Sequence, residues 1–394
     1  MTKKKRSIIF VSHNASRTGA PMILLGLIKE LAQSSEWDIQ ILLMEAGPLE
    51  AEFHRFGKVY VWYKEPVFTL SAKRGFSRLL SQIKYKLRGK RILSQLKKSE
   101  VVFLNTITNG HVHKKLLGKA DTFITYVHEL QTSIKMNTDR LSLNTVIGGS
   151  NHFFCGSNAV KEMLVEKYEV PAGKTSVVYS SLQLIELEKI NYQSDIDKLR
   201  ERFRIPESAI IIGLSGTTEW RKGIDWLYPL VKLYFKKRPN GNAYFIWKGI
   251  DVRKSDYFER FDFEKSKLTH RVIFLPHGND ALATIAAYDI HLLLSREDPY
   301  PLVVLEAAAF GIPSVCFKGA GGSPEFIEGD AGIAVEYGDL DAVADAIIYL
   351  ETDSGRRKEL GSVAKNKLKG THHSSNAASI LTATIDKLKT VPVA

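Results

Sequence analysis

The fold of this chain is decided by the stretch IHLLLSREDPYPLVVLEAAAFGIPSVCF, which runs from residue 290 to residue 317. An apolar run typical of a buried strand is followed by a polar turn, an apolar helical segment and a second strand-like run. Two strands joined through a helix lie parallel in one sheet, and the helices cover its faces. The stretch therefore predicts a parallel α/β sheet.

The same alternation of strand and helix patterns runs along most of the chain. Strand-like runs in the first half cover residues 7–12, 38–44, 58–63, 101–105, 122–128 and 152–157, with helix patterns at 21–33 and 158–168. In the second half they cover residues 209–216, 243–249, 271–276, 290–295, 313–317 and 332–336, with helix patterns at 223–235 and 303–310. We predict two doubly wound, Rossmann-like α/β domains that face each other across a cleft, with ligands beyond the carboxyl ends of the strands.

The length of 394 residues is more than one hydrophobic core usually holds, so two domains are expected. We place the first domain at residues 1–185 and the second at residues 206–370. The polar stretch 186–205 predicts an interdomain connection that contains a helix. A terminal helix at about residues 371–394 is expected to pack back on the first domain.

Composition and charge limit the kinds of protein that this chain can be. The chain is 44% hydrophobic and 25% charged, with a net charge of +12. Residues 1–180 hold 27 Lys and Arg against 14 Asp and Glu, a balance of +13, and the rest hold 28 against 29, a balance of −1. The first half is therefore expected to meet an acidic partner. Two cysteines and no apolar run of 18 residues predict a cytoplasmic protein that does not span a membrane.

A basic segment at residues 73–98 contains ten Lys or Arg and no acidic residue. Apolar residues follow helical spacing within it, namely Phe76, Leu79, Leu80, Ile83 and Leu87, and Gly89 is expected to break the helix. A basic amphipathic helix of this kind predicts binding to an anionic membrane surface. A helix packed on the core with a solvated basic face is the alternative.

Two loops have the composition of anion-binding sites. The first strand leads into SHNASRTGAPM, where Gly19 precedes a helix whose free N–H groups favour an anion; an ordinary βα turn is the alternative. In the second half, GLSGTTEWRKGIDWL places Arg221 and Lys222 before a helix, which predicts a diphosphate site without a metal. A solvated pair of surface charges is the alternative there.

The opening stretch sets two carboxylates around a helix start. Pro301 suits the first helical position because it has no N–H to leave unbonded. Asp298 lies in the turn, where it can accept hydrogen bonds from sugar hydroxyls, and Glu306 lies in the second turn of the helix, on the side that can face a ribose. Taken alone, each acid favours an ordinary structural role, which is helix capping for Asp298 and a satisfied or exposed helix position for Glu306.

Five motifs in order resemble those of the family 4 (group 1) retaining glycosyltransferases of the GT-B fold. They are GAP, YVHEL, RKGID, SREDPYPLVVLEAAAFGIPSV and GAGGSPEFI, and they extend over nearly the whole chain. DPYPLVVLEA looks like the Glu-x7-Glu motif of that family with aspartate in the first position. Thr217 stands where the family often has arginine, and Arg221 would take over its role.

The resemblance implies a retaining, metal-independent hexosyltransferase that uses a UDP- or GDP-linked sugar as co-substrate and no cofactor. By position, Glu306 would bind the ribose, Asp298 the donor sugar, and Arg221 and Lys222 the diphosphate. Because Pro299 and Pro301 lack an N–H, the amide donors of the turn would be Tyr300, Leu302 and Val303.

The resemblance also assigns three residues outside this helix. His128 would lie beside the donor sugar and act in catalysis with Asp298, Lys222 and Arg221. Gly19 would let the first loop approach the diphosphate, and His277 would line the base.

We expect a lipid-linked or surface-polysaccharide acceptor on the first, acceptor-side domain. The protein would lie peripherally on the inner face of the cytoplasmic membrane, bound through residues 73–98. One alternative is another GT-B activity on nucleotide sugars, such as an epimerase. A nucleic-acid-binding protein is the other, but no nucleic acid is expected because the basic segment offers only Phe76 and Tyr85 for stacking.

Overall fold

The computed structural model describes residues 5–63, 76–180, 190–250, 258–372 and 374–390. The chain divides into two compact units, Met1–Ser181 with Ser374–Ala394 and Leu182–His373. Each unit is built on one parallel sheet, so the prediction of two doubly wound parallel α/β domains is confirmed.

The first unit contains a seven-stranded sheet. Its strands are β1 (Arg6–Ser12), β2 (Trp37–Glu45), β3 (Lys58–Tyr63), β4 (Val101–Leu104), β5 (Thr122–Val127), β6 (His152–Cys155) and β7 (Thr175–Val177), in the order β3-β2-β1-β4-β5-β6-β7. The central strands are almost wholly buried because helices cover both faces, which is why they read as continuous apolar runs. The strand order reverses direction between β1 and β4, so this unit has one topological switch point.

Eight helices accompany this sheet in the described residues. They are α1 (Gly19–Ala32), α2 (Glu50–Phe53), α3 (Phe76–Gln95), α4 (Gly110–Leu116), α5 (Gln131–Asn137), α6 (Arg140–Gly149), α7 (Asn158–Tyr168) and, from the end of the chain, α16 (Ser374–Thr390). A short 3-10 turn, Ala172–Lys174, precedes β7. The terminal helix packs on this unit through ion pairs of Asp386 with Arg6 at 2.9 Å and of Lys389 with Glu100 at 2.8 Å.

The basic segment forms a helix, but the expected break at Gly89 is wrong. Helix α3 continues through Gly89, where a Cβ atom would lie 2.1 Å from the buried ring of Trp62. The glycine is therefore a packing contact, and Tyr85 stacks on Tyr63 beside it at 4.3 Å between ring centroids. Leu87, expected on the apolar face, is 62% exposed.

The other predicted apolar positions of this segment are not described. Residues 73–75 and the side chains of Phe76, Leu79, Leu80 and Ile83 lie outside the described residues.

The second unit contains a six-stranded sheet. Its strands are β8 (Ile210–Ser215), β9 (Ala243–Ile250), β10 (Val272–Pro276), β11 (Ile290–Leu293), β12 (Ser314–Phe317) and β13 (Gly332–Val335), in the order β10-β9-β8-β11-β12-β13. This is the strand order of dinucleotide-binding Rossmann sheets, with the switch point between β8 and β11. Ligands are therefore expected beyond the carboxyl ends of these two strands.

The helices of the second unit are α8 (Gln193–Phe203), α9 (Leu227–Lys237), α10 (Phe258–Lys265), α11 (Ala281–Ala286), α12 (Leu302–Ala309), α13 (Ser323–Ile327), α14 (Leu340–Thr352) and α15 (Ser354–Thr371). Two details of the prediction are wrong. The helix expected from residue 223 starts at Leu227, after two 3-10 turns, and Pro301 is the N-cap of α12, not its first residue.

Across the parts of the chain that the structure describes, no helix combines the length and the hydropathy that a membrane span needs. Cys155 and Cys316 are both buried and free.

Candidate active site

In the second unit, the turn after β8 brings Lys222 to Asp298. The turn Trp220–Lys222 is followed by Gly223 at a φ of 75°, where a Cβ would lie 2.1 Å from the carbonyl oxygen of Leu294. Only glycine allows the chain to pass this closely and in this conformation. The two turns beyond β8 and β11 are thereby held against each other.

Asp298 is buried, with 5% of its surface exposed. Its Oδ2 atom accepts a hydrogen bond from the Lys222 ammonium group and another from Ser295 Oγ at 3.2 Å. The Arg221 guanidinium group lies 3.9 Å from the same oxygen and donates to the carbonyl oxygen of Glu297 at 2.8 Å. A buried carboxylate is stable only with such partners, and Oδ1 has no hydrogen bond within the described residues.

The backbone of Asp298 is fixed as well. Its N–H donates to the carbonyl oxygen of Ala320 at 2.7 Å, and its own carbonyl oxygen accepts from Gly322 at 3.1 Å. The glycine-containing loop after β12 therefore holds this turn in place from the other side.

Glu306 lies in the second turn of α12, as predicted from its position. Burial raises the pKa of its carboxyl group to about 7, and no hydrogen bond or ion pair to it is found within the described residues. A desolvated carboxyl group without a partner is unfavourable for folding, and such groups concentrate at functional sites.

Leu302 and Val303 are the first residues of α12. Their backbone N–H groups therefore have no acceptor within the helix. Tyr300 is buried, and its hydroxyl group contacts His372 Nε2 at 2.6 Å while the two rings stack. The turn is therefore anchored to the end of α15, a contact that the sequence did not predict.

His277 is exposed in the turn after β10. Next to it, the sequence analysis missed Lys248 at the end of β9, which is 3% exposed and donates from Nζ to Asp280 Oδ1 at 2.6 Å. The available signal was a lysine that follows five apolar residues in AYFIWKG. The structure thus brings Arg221, Lys222 and Asp298 together and places His277 beyond the neighbouring strands β9 and β10.

In the first unit, His128 follows β5 and lies beside Asn105 after β4. The Asn105 Nδ2 atom donates to the carbonyl oxygen of Ala20 at 2.8 Å, so its Oδ1 is the acceptor facing His128 Nε2 at 3.0 Å. The Nε2 atom of His128 therefore carries the proton. Burial, and secondarily the nearby His13, lowers the pKa of His128 to about 3, so the ring is neutral near pH 7.

Glu129 and Thr106 were also missed by the sequence analysis. The Glu129 carboxyl group accepts from the backbone N–H of His128 at 2.9 Å, from the Thr106 hydroxyl group and from the backbone N–H of Ile107. Burial nevertheless raises the pKa of Glu129 to about 7. The only signal was an acid directly after the histidine in YVHEL.

Gly19 is exposed at the start of α1, and a Cβ there would meet no atom within 4 Å. The fold of this unit therefore does not require glycine at this position, and its predicted approach to a diphosphate stays a prediction. No cluster of three or more His, Cys, Asp or Glu side chains suited to a metal ion occurs in the described ranges.

Comparison with known proteins places the second unit in a family. The family of glycosyl transferases group 1 matches residues 195–367, which include the Lys222–Asp298 pair and Glu306. Residues 195–367 form a group 1 glycosyltransferase domain. The predicted group 1 membership is thereby confirmed for residues 195–367, and the finer placement in family 4 stays a prediction.

Relatives of this chain include a glucosaminyl malate synthase and a glycosyltransferase of capsular polysaccharide biosynthesis. The chain is 26% identical over 264 residues to the N-acetyl-alpha-D-glucosaminyl L-malate synthase of Bacillus anthracis, covering 66% of each protein. It is 24% identical over 274 residues to the capsular polysaccharide biosynthesis glycosyltransferase CapM of Staphylococcus aureus, covering 65% of this chain and 69% of CapM. The chain therefore spans about two thirds of the length of both.

The fold has close structural counterparts. Anabaena Alr3699/HepE, solved in complex with UDP and glucose, superposes with a TM-score of 0.78 at 19% identity, over 98% of this chain and 99% of that chain. The sucrose-phosphate synthase of Thermosynechococcus elongatus gives a TM-score of 0.75 at 18% identity, over 98% and 99%. The GT-B fold predicted for this chain is confirmed.

Proposed function

We propose that the chain is a retaining glycosyltransferase that moves a sugar from a nucleotide-diphosphate donor to a lipid-linked or surface-polysaccharide acceptor. The observation that carries the proposal is the unpartnered Glu306 carboxyl group beside the switch point of a group 1 glycosyltransferase domain. A carboxylate with two free oxygens matches the paired hydroxyl groups of a ribose.

The diphosphate would bind at the turn that Lys222 and Asp298 share. Lys222, Arg221 and the free N–H groups of Leu302 and Val303 supply positive charge where the departing diphosphate gains negative charge. Asp298 holds Lys222 in place and keeps Oδ1 for the donor sugar. We propose that this charge suffices without a metal, so activity is expected to persist in EDTA.

Retention would follow if the acceptor attacks the face from which the diphosphate leaves. The bond from the anomeric carbon to the phosphate oxygen breaks, and the bond to the acceptor oxygen forms on the same side. The acceptor proton passes to the departing phosphate oxygen. The neutral His128 would position the donor sugar by a hydrogen bond at Nδ1 and would exchange no proton. NMR of the product would reveal inversion if this proposal is wrong.

Helix α3 supports attachment to the inner membrane face. Lys84, Lys86, Lys90 and Arg91 are exposed on it together with Leu87, and each surface cation attracts anionic lipid by about 1 kcal/mol. Sedimentation with phosphatidylcholine vesicles, with and without phosphatidylglycerol, tests this part of the proposal.

Changing Lys84, Lys86 and Lys90 to Glu should abolish binding to the anionic vesicles. The matched control changes three exposed cations of the second unit, Lys198, Arg202 and Arg204, to Glu and should leave binding intact. Equal loss in both variants would contradict a specific role of α3.

The first experiment on the donor is a thermal-shift screen of UDP, GDP, ADP, TDP and CMP. One diphosphate is expected to raise the melting temperature of the wild type, because a ligand that binds only the native state stabilises it. Glu306→Ala should lose most of that shift. Glu359→Ala, which changes an exposed glutamate of α15, should keep it. No shift with any nucleotide would contradict the proposed function.

A further inference from the structure

Arg296 lies in the turn after β11 and has no role in the expected donor site, yet several neighbouring groups hold its side chain in place. Its guanidinium group donates to both carboxylate oxygens of Asp225, at 2.8 and 2.6 Å, and to the carbonyl oxygen of Trp220 at 2.6 Å. It also lies over two indole rings, 4.7 Å from the centroid of Trp220 and 4.0 Å from that of Trp226. Bidentate and cation–π contacts of this kind fix a side chain before any ligand arrives.

The outer indole is left open to solvent. Trp220 is 61% exposed, although a tryptophan that is buried contributes a large apolar area to stability. Tyr337 is 52% exposed and contacts Trp226 edge-on at 5.7 Å. We call the surface formed by Trp220, Asp225, Trp226, Arg296 and Tyr337 the aromatic platform. It lies beyond the carboxyl ends of β8, β11 and β13.

The aromatic platform carries no net charge. Asp225 and Arg296 neutralise each other, and the hydrogen bonds from Arg296 lower the pKa of Asp225, so the pair stays ionised across the neutral range. Both carboxylate oxygens keep lone pairs, and Asp225 is half exposed. The surface therefore offers a flat apolar face beside an ion pair with no net charge.

A pyranose ring has the matching chemistry, with one face of C–H groups and a rim of hydroxyl groups. We infer that the aromatic platform is a binding subsite for an uncharged glycan chain, with one sugar ring stacked on the open face of Trp220 and its hydroxyl groups hydrogen-bonded to Asp225. The inference rests on the proposed function and deepens it, since it assigns the acceptor a sugar chain that extends past the reacting unit. Trp220 directly precedes Arg221 and Lys222, so the subsite is continuous with the expected diphosphate site.

Tryptophan fluorescence of the full chain provides the test. The five tryptophans are Trp37, Trp62, Trp220, Trp226 and Trp247, and of these only Trp220 is markedly exposed. Acrylamide should therefore quench mainly Trp220. Maltohexaose, cellohexaose and chitohexaose, each at about 10 mM to detect weak binding, are the probes. We expect at least one of them to reduce the quenching of wild-type fluorescence. The weaker quenching that remains in Trp220→Phe should not change.

Binding of the protecting hexasaccharide, measured by calorimetry, separates stacking from a general effect. Trp220→Ala should weaken binding by about tenfold or more, the loss typical of a central aromatic contact. Trp220→Phe should retain most of the affinity, since it keeps an aromatic face. Tyr349→Ala, which removes another exposed aromatic residue from the same unit, should leave affinity unchanged.

Two outcomes would overturn the inference. One is quenching that none of the three hexasaccharides alters, and the other is protection of Trp220 by UDP or GDP alone, which would make the platform a base-stacking site. The thermal shift produced by nucleotides distinguishes failure of this inference from failure of the proposed function. Trp220→Ala should retain the full nucleotide shift, and a shift absent from every protein would count against the proposed function only.

Discussion

Glu129 in the first unit and Glu306 in the second differ in their partners although burial raises the pKa of both to about 7. Glu129 accepts hydrogen bonds from a hydroxyl group and two backbone N–H groups, whereas the carboxyl group of Glu306 has no partner in the described residues. Each follows the carboxyl ends of parallel strands. A raised pKa alone therefore does not distinguish a ligand site from a structural acid, and the absence of hydrogen-bond partners is what makes Glu306 the stronger candidate.

The largest expected effect is on folding. Glu129→Ala removes the acceptor of two backbone N–H groups and should lower the free energy of unfolding by about 3 kcal/mol, since each unsatisfied buried donor costs roughly 1–3 kcal/mol. Glu306→Ala removes no partner and should change it by less than about 0.5 kcal/mol at pH 4.5, where ionisation of the wild-type carboxyl group does not yet reduce stability. Urea denaturation of both variants measures the difference, and equal losses would remove the distinction between the two sites.

A second prediction concerns stability against pH. The pKa of Glu306 is raised in the folded state above its ordinary value of 4.5, so the folded state holds the proton more tightly than the unfolded state. Stability from this group is therefore full below about pH 4.5 and is lost as the pH rises to about 7. Glu306→Gln, which cannot ionise, should be more stable than the wild type by about 3 kcal/mol at pH 8, since each unit of pKa shift corresponds to about 1.4 kcal/mol. It should match the wild type at pH 4.5.

A third prediction is the pH dependence of nucleotide affinity. If ribose hydroxyl groups bond to the ionised form of Glu306, the dissociation constant should fall by about tenfold from pH 6 to pH 8, because the ionised fraction rises about tenfold across that range. Calorimetry with the diphosphate found in the thermal-shift screen measures it. Glu306→Gln serves as control, since the phosphate groups titrate equally in both proteins. A slope that Glu306→Gln preserves would place the ribose elsewhere.

The smallest expected effect is at His128. The pKa of this residue is about 3, so its protonation contributes no step to the pH–rate profile between pH 5 and 8. His128→Gln should lower kcat and leave the shape of the profile unchanged. A step near pH 6.5 in the wild type that disappears in this variant would give His128 a proton-transfer role.

The sequence predicted those features that depend only on residues close together along the chain. Every strand except Thr175–Val177 was predicted to within about two residues, because buried parallel strands are continuous apolar runs. Thr175–Val177 was missed because a three-residue edge strand has no recognisable period. Lys222 and Asp298 were both identified, but their pairing depends on the close passage at Gly223, which no spacing in the sequence encodes.

The unpredicted parts of the site depend on contacts between distant segments. Thr106 and Glu129 are 23 residues apart, and Tyr300 and His372 are 72 apart. Each pair consists of residues that are common in turns and helix ends, so only the folded sheet reveals that they meet. Gly89 was misread for the same reason, since its partner Trp62 lies on another element.

Helix α16 belongs to the first unit but is synthesised after the second unit, and this order affects how the protein folds. The sheet of the first unit is complete by residue 177, but Arg6 and Glu100 meet Asp386 and Lys389 only when the last helix has been made. On the ribosome, where domains generally fold as they emerge, the second unit can close while the first still lacks one of its layers. The unit whose synthesis begins first is therefore completed only after the second unit has been synthesised.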